Sequence, residues 1–358
     1  MTSKLFTPFK LGGIELKNRV VMAPMTRSRA IDNIPSDLVA TYYGQRSEAG
    51  LIITEGTSPS PNGLGYPRIP GLYSDEQVEG WKRVTSNVHD KGGRIFVQIM
   101  HTGRVTHPLN QPEGGRVLAP SALAAPDVMY TDAEGPQPFP VPEEMTGDDI
   151  GITVREYERS AELAIEAGFD GVELHGANGY LIDQFLNTAT NQRSDRWGGT
   201  VDGRIRFAVD VASRVAAKIG GDRLGIRISP YGVFNGAVPD EEHDELYRRL
   251  VTKLSEIGLA YIHVVDHSSM GAPPVKDEIK KLLRKTFNGA YILSGGYDGH
   301  RAEEDLAEGR GELVAFGRPF ISNPKLVSKL RNDSELVEPD PATFYTPGEK
   351  GYTDYAIG

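Results

Sequence analysis

Three polar residues, His175, Asn178 and Tyr180, lie within six positions of one another, directly after the short apolar run at residues 171–174. An imidazole and an amide can both donate hydrogen bonds to one substrate oxygen, and a phenol can give a proton. Together they could polarise and protonate an unsaturated carbonyl compound. A histidine at a strand end is more often structural than catalytic, and each of the three taken singly would be interpreted as structural. Because all three cluster after one strand, we predict an active site.

Eight short apolar runs alternate with amphipathic stretches along the chain. They lie at residues 19–23, 51–54, 94–99, 171–174, 224–228, 261–265, 291–293 and 313–316. Eight strands separated by helix-length segments predict a closed parallel barrel. One of the helices is expected to open at Pro239-Asp240, because Leu246 and Leu250 fall on one face before Gly258 ends the pattern. We therefore predict an α/β fold, a (β/α)8 TIM barrel.

Three segments lie outside this alternation. Residues 9–16 are interpreted as a hairpin around Gly12-Gly13 that forms a lid on the bottom of the barrel. Residues 102–147 follow the third run and contain eight of the 24 prolines, a density that prevents a regular helix and is also typical of linkers. We favour an ordered excursion that caps the active-site face, because long loops inside a domain are usually functional. The aromatic residues 344–355 are expected to pack back on the domain.

Sequence blocks along the whole chain resemble a known family. His175-Gly-Ala-Asn-Gly-Tyr-Leu-Ile-Asp-Gln-Phe-Leu186, continuing into Asn191-Gln-Arg-Ser-Asp-Arg-Trp-Gly-Gly199, resembles the signature of the Old Yellow Enzyme family of FMN-dependent ene-reductases. Further blocks in family order are Leu5-Phe-Thr-Pro-Phe9, Asn18-Arg-Val-Val-Met-Ala-Pro-Met-Thr-Arg27, Gln98-Ile-Met-His-Thr-Gly-Arg104, Arg227-Ile-Ser-Pro230, Phe316-Gly-Arg-Pro-Phe320 and Gly351-Tyr-Thr-Asp-Tyr355. The ordered set, similar to the classical bacterial members, is much more specific than any single block.

The strand ends of a TIM barrel form its active site, so polar residues there can be assigned roles. Thr26 could donate to a flavin carbonyl or cap a turn, and the resemblance places Pro24, Met25 and Thr26 at the flavin. Gly56 would let a flat ring approach the backbone, although glycine is also common in turns. Gln98 and Arg227 interrupt apolar strands, and burying an unpartnered amide costs on the order of 2–7 kcal/mol. An isoalloxazine ring would satisfy both, while an internal salt bridge to a barrel carboxylate is the alternative for Arg227.

The last two runs are followed by glycines and an arginine, namely Gly295, Gly296, Gly317 and Arg318. Either pair alone would indicate a turn. TIM barrels often bind a phosphate in the loops after strands seven and eight, so together they predict the phosphate site of FMN. No Gly-x-Gly-x-x-Gly follows a strand, which argues against FAD and a dinucleotide-binding domain. NADPH or NADH would therefore bind transiently as reductant.

The resemblance also implies roles for the remaining site residues. His175 and Asn178 would hold the carbonyl or nitro oxygen, Tyr180 would supply the proton, and Tyr66, Met100 and Tyr352 would line the substrate pocket. Met100 departs from the family pattern, which commonly has tryptophan there, and predicts a roomier pocket.

Other histidines are interpreted as structural. His263 in the sixth run and His267 just after it could be read as metal ligands, but paired strand-end histidines are usually structural. His101 and His107 lack a third convergent ligand. We therefore predict no metal site.

Composition narrows the protein class. With 358 residues, 39% hydrophobic, we expect one domain over residues 1–358, although length alone would also allow two. Zero cysteines exclude disulfides, thiolate catalysis and iron–sulfur clusters.

A net charge of −10 argues against a nucleic-acid partner. No apolar run approaches the roughly 18 residues of a membrane span, and the first eight residues lack the basic and apolar regions expected of a secretory signal. We expect a cytoplasmic monomer, with a dimer as the alternative.

We interpret the chain as a non-covalent FMN enzyme with a ping-pong cycle. NAD(P)H would reduce the flavin, and an enone, maleimide or nitroalkene would then receive hydride and a proton. The resemblance also implies possible activity on nitrate esters and nitroaromatics. Two alternatives stay open: a cofactor-free barrel isomerase or lyase that uses His175 and Tyr180 for proton transfer, and a flavin-binding protein without turnover.

Overall fold

Eight parallel strands close into a barrel in the computed structural model of the protein, which describes residues 3–357. The strands are β1 (Val20–Met22), β2 (Leu51–Thr57), β3 (Ile95–Ile99), β4 (Gly171–Gly176), β5 (Leu224–Ile228), β6 (Tyr261–Val265), β7 (Ala290–Ser294) and β8 (Leu313–Phe316). Each strand pairs with the next, and β8 pairs with β1. All their residues are buried, as expected for a parallel sheet covered on both faces. The predicted (β/α)8 barrel is confirmed.

Helices surround the barrel. They are α1 (Asp37–Gln45), α2 (Asp75–His89), α3 (Gly147–Glu166), α4 (Leu181–Leu186), α5 (Val201–Ile219), α6 (His243–Ile257), α7 (Asp277–Thr286), α8 (Gly299–Ala307), α9 (Arg318–Ser322) and α10 (Leu326–Arg331). Short 3-10 helices lie at Lys4–Phe6, Ile31–Asn33, Pro61–Gly63, Pro108–Asn110, Gly221–Arg223, Phe234–Gly236, Ser268–Met270 and Pro341–Thr343. No helix among residues 3–357 is long and apolar enough to cross a membrane.

The boundaries of α6 show where the sequence pattern is sufficient and where it is not. The helix ends as predicted, because Gly258 adopts the left-handed conformation with φ 85°. Its predicted start at Pro239-Asp240 is wrong, since the helix begins at His243. Asp240 instead accepts hydrogen bonds from the backbone amide of Glu242 (3.0 Å) and from Arg204 Nη1 (2.9 Å). These contacts keep Asp240 in the preceding turn.

The N-terminal hairpin closes the bottom of the barrel. Its strands, Phe9–Leu11 and Ile14–Leu16, pair antiparallel. Leu11 and Leu16 are buried in the same apolar cluster as residues of the barrel interior. At the turn, Gly12 has φ 52°, and a Cβ there would lie 2.0 Å from the carbonyl oxygen of Asp222. The predicted lid is confirmed, and its close approach to the barrel requires glycine.

The proline-rich segment 102–147 lies over the opposite end of the barrel. It contains short strands at Leu118–Ala119, Val128–Thr131, Gly135–Pro138 and Glu143–Glu144. Val105, Ala125 and Met129 of this segment pack with Tyr66 and Tyr180, two predicted site residues. The segment is therefore an ordered excursion that forms part of the wall of the site. That residues 1–358 form a single domain stays a prediction, and Met1, Thr2 and Gly358 lie outside the described residues.

Candidate active site

A cavity of about 670 Å³ opens at the carboxyl ends of the barrel strands. It is lined by all the predicted cofactor residues, Pro24, Met25, Thr26, Gly56, Gln98, Arg227, Gly295, Gly296, Gly317 and Arg318, and by Tyr66, Met100, His175, Asn178 and Tyr180. Its volume lies in the range of typical ligand pockets, roughly 300–1,000 Å³. The tertiary structure thus brings together residues from the ends of all eight strands.

Tyr352 is the exception among the predicted site residues. It does not line the cavity; its ring is fully buried and stacks on Tyr42 at a centroid distance of 4.0 Å. The guanidinium groups of Arg27 and Arg29 lie 5.2 and 4.6 Å from its ring centroid. The expectation that Tyr352 forms a pocket wall is therefore wrong. The C-terminal segment packs back on the domain, and the Tyr352 ring is buried in that contact. Tyr345 of the same segment lines the cavity instead.

His175 lies at the end of β4 and presents a neutral N–H to the cavity. Its Nδ1 accepts a hydrogen bond from the backbone amide of Ala177 at 3.3 Å, so the ring proton is carried by Nε2. Burial lowers the pKa of His175 well below its usual value, and the positive charge of Arg227 lowers it further. The ring is therefore neutral near pH 7 and acts as a hydrogen-bond donor through Nε2.

Asn178 has its backbone fixed on both sides. It has φ 62°, a left-handed conformation that asparagine adopts more readily than most residues. Its backbone amide donates to Ser229 Oγ at 3.0 Å, and its carbonyl accepts from Asn235 Nδ2 at 2.8 Å. Its side-chain Oδ1 lies 2.7 Å from His267 Nε2. The loop after β5 and the loop after β6 thus both hold this residue.

Tyr180 carries its hydroxyl group beside a second phenol. The hydroxyl oxygens of Tyr180 and Tyr66 lie 2.8 Å apart, and the Tyr180 ring meets His175 edge-on at 4.8 Å. Burial and the neighbouring Tyr66 raise the pKa of Tyr180 well above its usual value. The phenol therefore keeps its proton at neutral pH and can donate it.

The turn between Asn178 and Tyr180 is held by the following helix α4. The Gly179 amide donates to Asp183 Oδ2 at 2.7 Å, and Gln184 Nε2 donates to the Gly179 carbonyl at 2.7 Å. Gly179 has φ 73°, and a Cβ there would lie 2.6 Å from the Phe234 carbonyl oxygen. These contacts position Asn178 and Tyr180 before any ligand binds.

A buried carboxylate, Glu173, lies one layer below the cavity. It accepts hydrogen bonds from Gln98 Nε2 (2.8 Å), His263 Nδ1 (2.9 Å) and the Tyr261 hydroxyl (3.1 Å). Because its nitrogen is engaged, Gln98 keeps its amide oxygen as an acceptor for a ligand. His263 has the structural role that the sequence predicted.

Arg227, on β5, has a buried guanidinium without a partner. The residue is 8% exposed, its Nε has no hydrogen-bond partner, and it forms no ion pair with the residues that the structure describes. The alternative of an internal salt bridge is therefore not what the structure shows. A buried cation without a partner is costly, so the site favours a ligand with acceptor atoms. The pyrimidine edge of FMN fits Arg227 together with the Gln98 oxygen.

The ends of β7 and β8 form a second part of the cavity, away from Arg227 and Gln98. Gly295 has φ 132°, and a Cβ there would lie 2.2 Å from the Asp266 carbonyl oxygen. Gly296 has φ 62°, and a Cβ at Gly317 would lie in van der Waals contact with Met25 Sδ, at 3.7 Å. Arg318 is exposed at the same rim. Bare backbone beside a guanidinium fits the phosphate group of FMN.

His267 is the functional candidate that the sequence interpretation missed. It follows the end of β6 by two residues, lines the cavity and lies against both Asn178 and the edge of Phe234, whose ring centroid is 4.6 Å away. Its place at a strand end was the available signal, because the same rule had selected Thr26 and Arg227. The prediction that His267 is merely structural is therefore incomplete.

Comparisons with known proteins identify the family of this chain. The NADH:flavin oxidoreductase / NADH oxidase family model matches residues 4–336. A probable flavin mononucleotide-dependent alkene reductase of Leishmania infantum is 40% identical over 98% of this chain and 96% of its own length. The structure of morphinone reductase is similar with a TM-score of 0.96 and 43% identity, covering 99% and 96% of the two chains. The Old Yellow Enzyme homologue of Zymomonas mobilis has a TM-score of 0.95 and 39% identity, covering 99% of each chain.

These matches confirm the predicted resemblance and activity class. Reduction of activated alkenes by a flavin and NAD(P)H is confirmed at the level of the family. The chain belongs to the NADH:flavin oxidoreductase / NADH oxidase family, as a member of the Old Yellow Enzyme group.

Proposed function

We propose that this chain reduces the C=C bond of enones, maleimides and nitroalkenes. The observation that carries the proposal is the convergence of two N–H donors, from His175 and Asn178, and one phenol, Tyr180, on a cavity that also holds the unpartnered Arg227. Bound FMN would supply the redox chemistry, accepting hydride from NADPH or NADH and delivering it to the β-carbon of the alkene.

The chain offers two sets of groups to hold that cofactor. Arg227, the Gln98 amide oxygen and the Thr26 hydroxyl would bind the ring edge, where the Arg227 charge favours the reduced form. The glycines after β7 and β8 and Arg318 would bind the phosphate. Pro24, Met25 and Gly56 would contact the ring through carbon and backbone atoms.

The substrate half of the cavity would polarise the carbonyl or nitro group and protonate the alkene. His175 Nε2 and Asn178 Nδ2 would donate to the carbonyl or nitro oxygen and stabilise the negative charge that develops there. Tyr180 would transfer its hydroxyl proton to the α-carbon while hydride arrives at the β-carbon, which balances the addition of H₂ across the double bond. Met100 and Tyr66 would close the side of the pocket against water.

One cavity has to receive the reductant and the substrate in turn, which supports a ping-pong order. We propose that nitrate esters and nitroaromatics are further substrates, because their oxygens can accept from the same two donors. We also propose use of either NADPH or NADH, a cytoplasmic location, and a monomer, with a dimer as the alternative.

The test uses the purified protein with its flavin. It should be yellow, and anaerobic titration with NADH or NADPH should bleach it, with an enone such as cyclohexenone restoring the colour. A protein that stays colourless after incubation with FMN would support a cofactor-free isomerase or lyase. A yellow protein that neither nicotinamide bleaches would support a binding protein without turnover.

The oxygen site can be tested separately by phenol binding. A phenolate oxygen mimics the polarised substrate oxygen, and a phenol stacked on the flavin gives a long-wavelength charge-transfer band. His175→Ala should weaken phenol binding by about tenfold or more, since a donor to a charged oxygen is lost. Wild-type phenol affinity in both His175→Ala and Asn178→Ala would mean that these side chains do not form the oxygen site.

A further inference from the structure

We propose that His267 is a positioning residue that orients the side-chain amide of Asn178, so that Nδ2 rather than Oδ1 faces the substrate oxygen. This inference rests on the proposed function, because it gives a reason for the donor role of Asn178. It assigns a specific task to a histidine that the catalytic cycle does not otherwise use.

The contact between the two side chains is direct. His267 Nε2 lies 2.7 Å from Asn178 Oδ1. His267 is 9% exposed, and its ring meets Phe234 edge-on at 4.6 Å and 74°. The neighbouring Asp266 does not compete for the His267 ring, because its carboxylate binds Lys280 Nζ at 2.7 Å. The imidazole is therefore held where it can donate its Nε2–H to the amide oxygen.

The orientation matters because an amide has two chemically opposite ends. A half-turn about its last side-chain bond exchanges an acceptor oxygen for a donor nitrogen at nearly the same place. His175 is already fixed as a donor by its bond to the Ala177 amide. If Asn178 Oδ1 faced the ligand, it would repel the oxygen that His175 attracts.

No other side chain in residues 3–357 fixes the orientation of the Asn178 amide. The Asn178 backbone is fixed by Ser229 and Asn235, but its side-chain oxygen is bonded to His267 alone and its Nδ2 donates to no described residue. Burial, assisted by the charge of Arg227, lowers the pKa of His267 to about 4. Near pH 7 the ring is neutral, so it can act on the amide without placing a second positive charge beside the substrate.

The experiment measures the dissociation constant of 4-hydroxybenzaldehyde from the FMN-loaded protein, by its charge-transfer band at pH 7. His267→Ala should weaken binding roughly three- to tenfold, the effect of one hydrogen bond. His267→Gln should restore part of the affinity, because its amide nitrogen can again donate to Oδ1. The matched control is His107→Ala, which removes a histidine from the excursion outside the cavity and should leave the dissociation constant unchanged.

The Asn178→Ala background separates the possible results. His267→Ala should add no further loss there, because its effect passes through the missing amide. An additive loss, or wild-type affinity of His267→Ala when Asn178→Ala is weakened, would overturn the inference and leave the proposed function intact. Wild-type affinity of Asn178→Ala would instead count against the proposed oxygen site. If His267→Ala does not retain its flavin, His267→Leu keeps apolar bulk against Phe234 and must show the same loss.

Discussion

The hydroxyl oxygen of Tyr66 lies 2.8 Å from the hydroxyl oxygen of Tyr180. Burial raises the pKa of both phenols above the usual value, so both keep their protons at neutral pH. If Tyr66 donates to the Tyr180 oxygen, the hydrogen of Tyr180 stays free for the substrate. The same bond would stabilise the phenolate that remains after the proton has been transferred.

Tyr180→Phe should therefore separate the two half-reactions. Reoxidation by cyclohexenone should slow about 100-fold or more, as for loss of a general acid, while flavin reduction by NAD(P)H persists. Tyr66→Phe should slow reoxidation by about tenfold at most, because only the supporting hydrogen bond is lost. Stopped-flow absorbance of the flavin measures both steps. Equal slowing of both half-reactions by Tyr180→Phe would contradict the role as proton donor.

Arg318→Ala should weaken retention of FMN. A charge-assisted contact to phosphate contributes roughly 1.5–3 kcal/mol, which corresponds to about a 10- to 150-fold rise in the FMN dissociation constant. Dialysis followed by fluorescence of the released flavin measures it. Arg310→Ala is the matched control, since it removes an exposed arginine that pairs with Glu308 outside the cavity. Equal flavin affinity in the two variants would show that the phosphate binds elsewhere.

Met100→Trp should narrow the pocket. Met100 packs against Tyr66 and Tyr180, and its Sδ would lie 2.4 Å from a Cβ at Gly56, so it fills the space beside that glycine. A larger, rigid indole should depress turnover of large ring-substituted enones while sparing cyclohexenone. The ratio of the two rates and the product stereochemistry are the readouts. Met100→Leu, which nearly conserves volume, should leave both unchanged, and a Trp variant that did the same would remove Met100 from the pocket wall.

Asp183→Asn should stabilise the protein in a pH-dependent manner. Burial raises the pKa of Asp183 to about 7, whereas in the unfolded chain it is about 4. The folded state therefore holds a proton that the unfolded state has lost, and this group's contribution to stability falls as pH rises from about 4 to 7. The variant keeps an oxygen for the Gly179 amide but no titrating group.

The unfolding free energy of the Asp183→Asn variant relative to wild type should thus increase from pH 5 to pH 8. The increase is about 1.4 kcal/mol for each pH unit that lies between the unfolded-state and folded-state pKa values of Asp183. Urea denaturation at several pH values measures it, with Asp277→Asn as an exposed carboxylate control. A difference that does not vary with pH would contradict the raised pKa.

The barrel and most of the site could be predicted from the sequence because both depend on local pattern. A strand buried on both faces is a continuous apolar run, and the end of such a run lies at the active-site face of a barrel. Polar residues at those ends, such as Gln98, His175 and Arg227, could therefore be assigned before their neighbours were known. The lid hairpin followed in the same way from Gly12-Gly13 and its flanking residues.

Contacts between distant segments were decided only by the tertiary structure. The sequence could not distinguish Tyr352, which packs against Tyr42 and Arg29, from Tyr345, which lines the cavity. Nor could it show that His267 meets Asn178, 89 positions away in the chain. Side-chain partners of this kind depend on how two loops approach each other across the barrel mouth, and no periodic pattern along the chain records that distance.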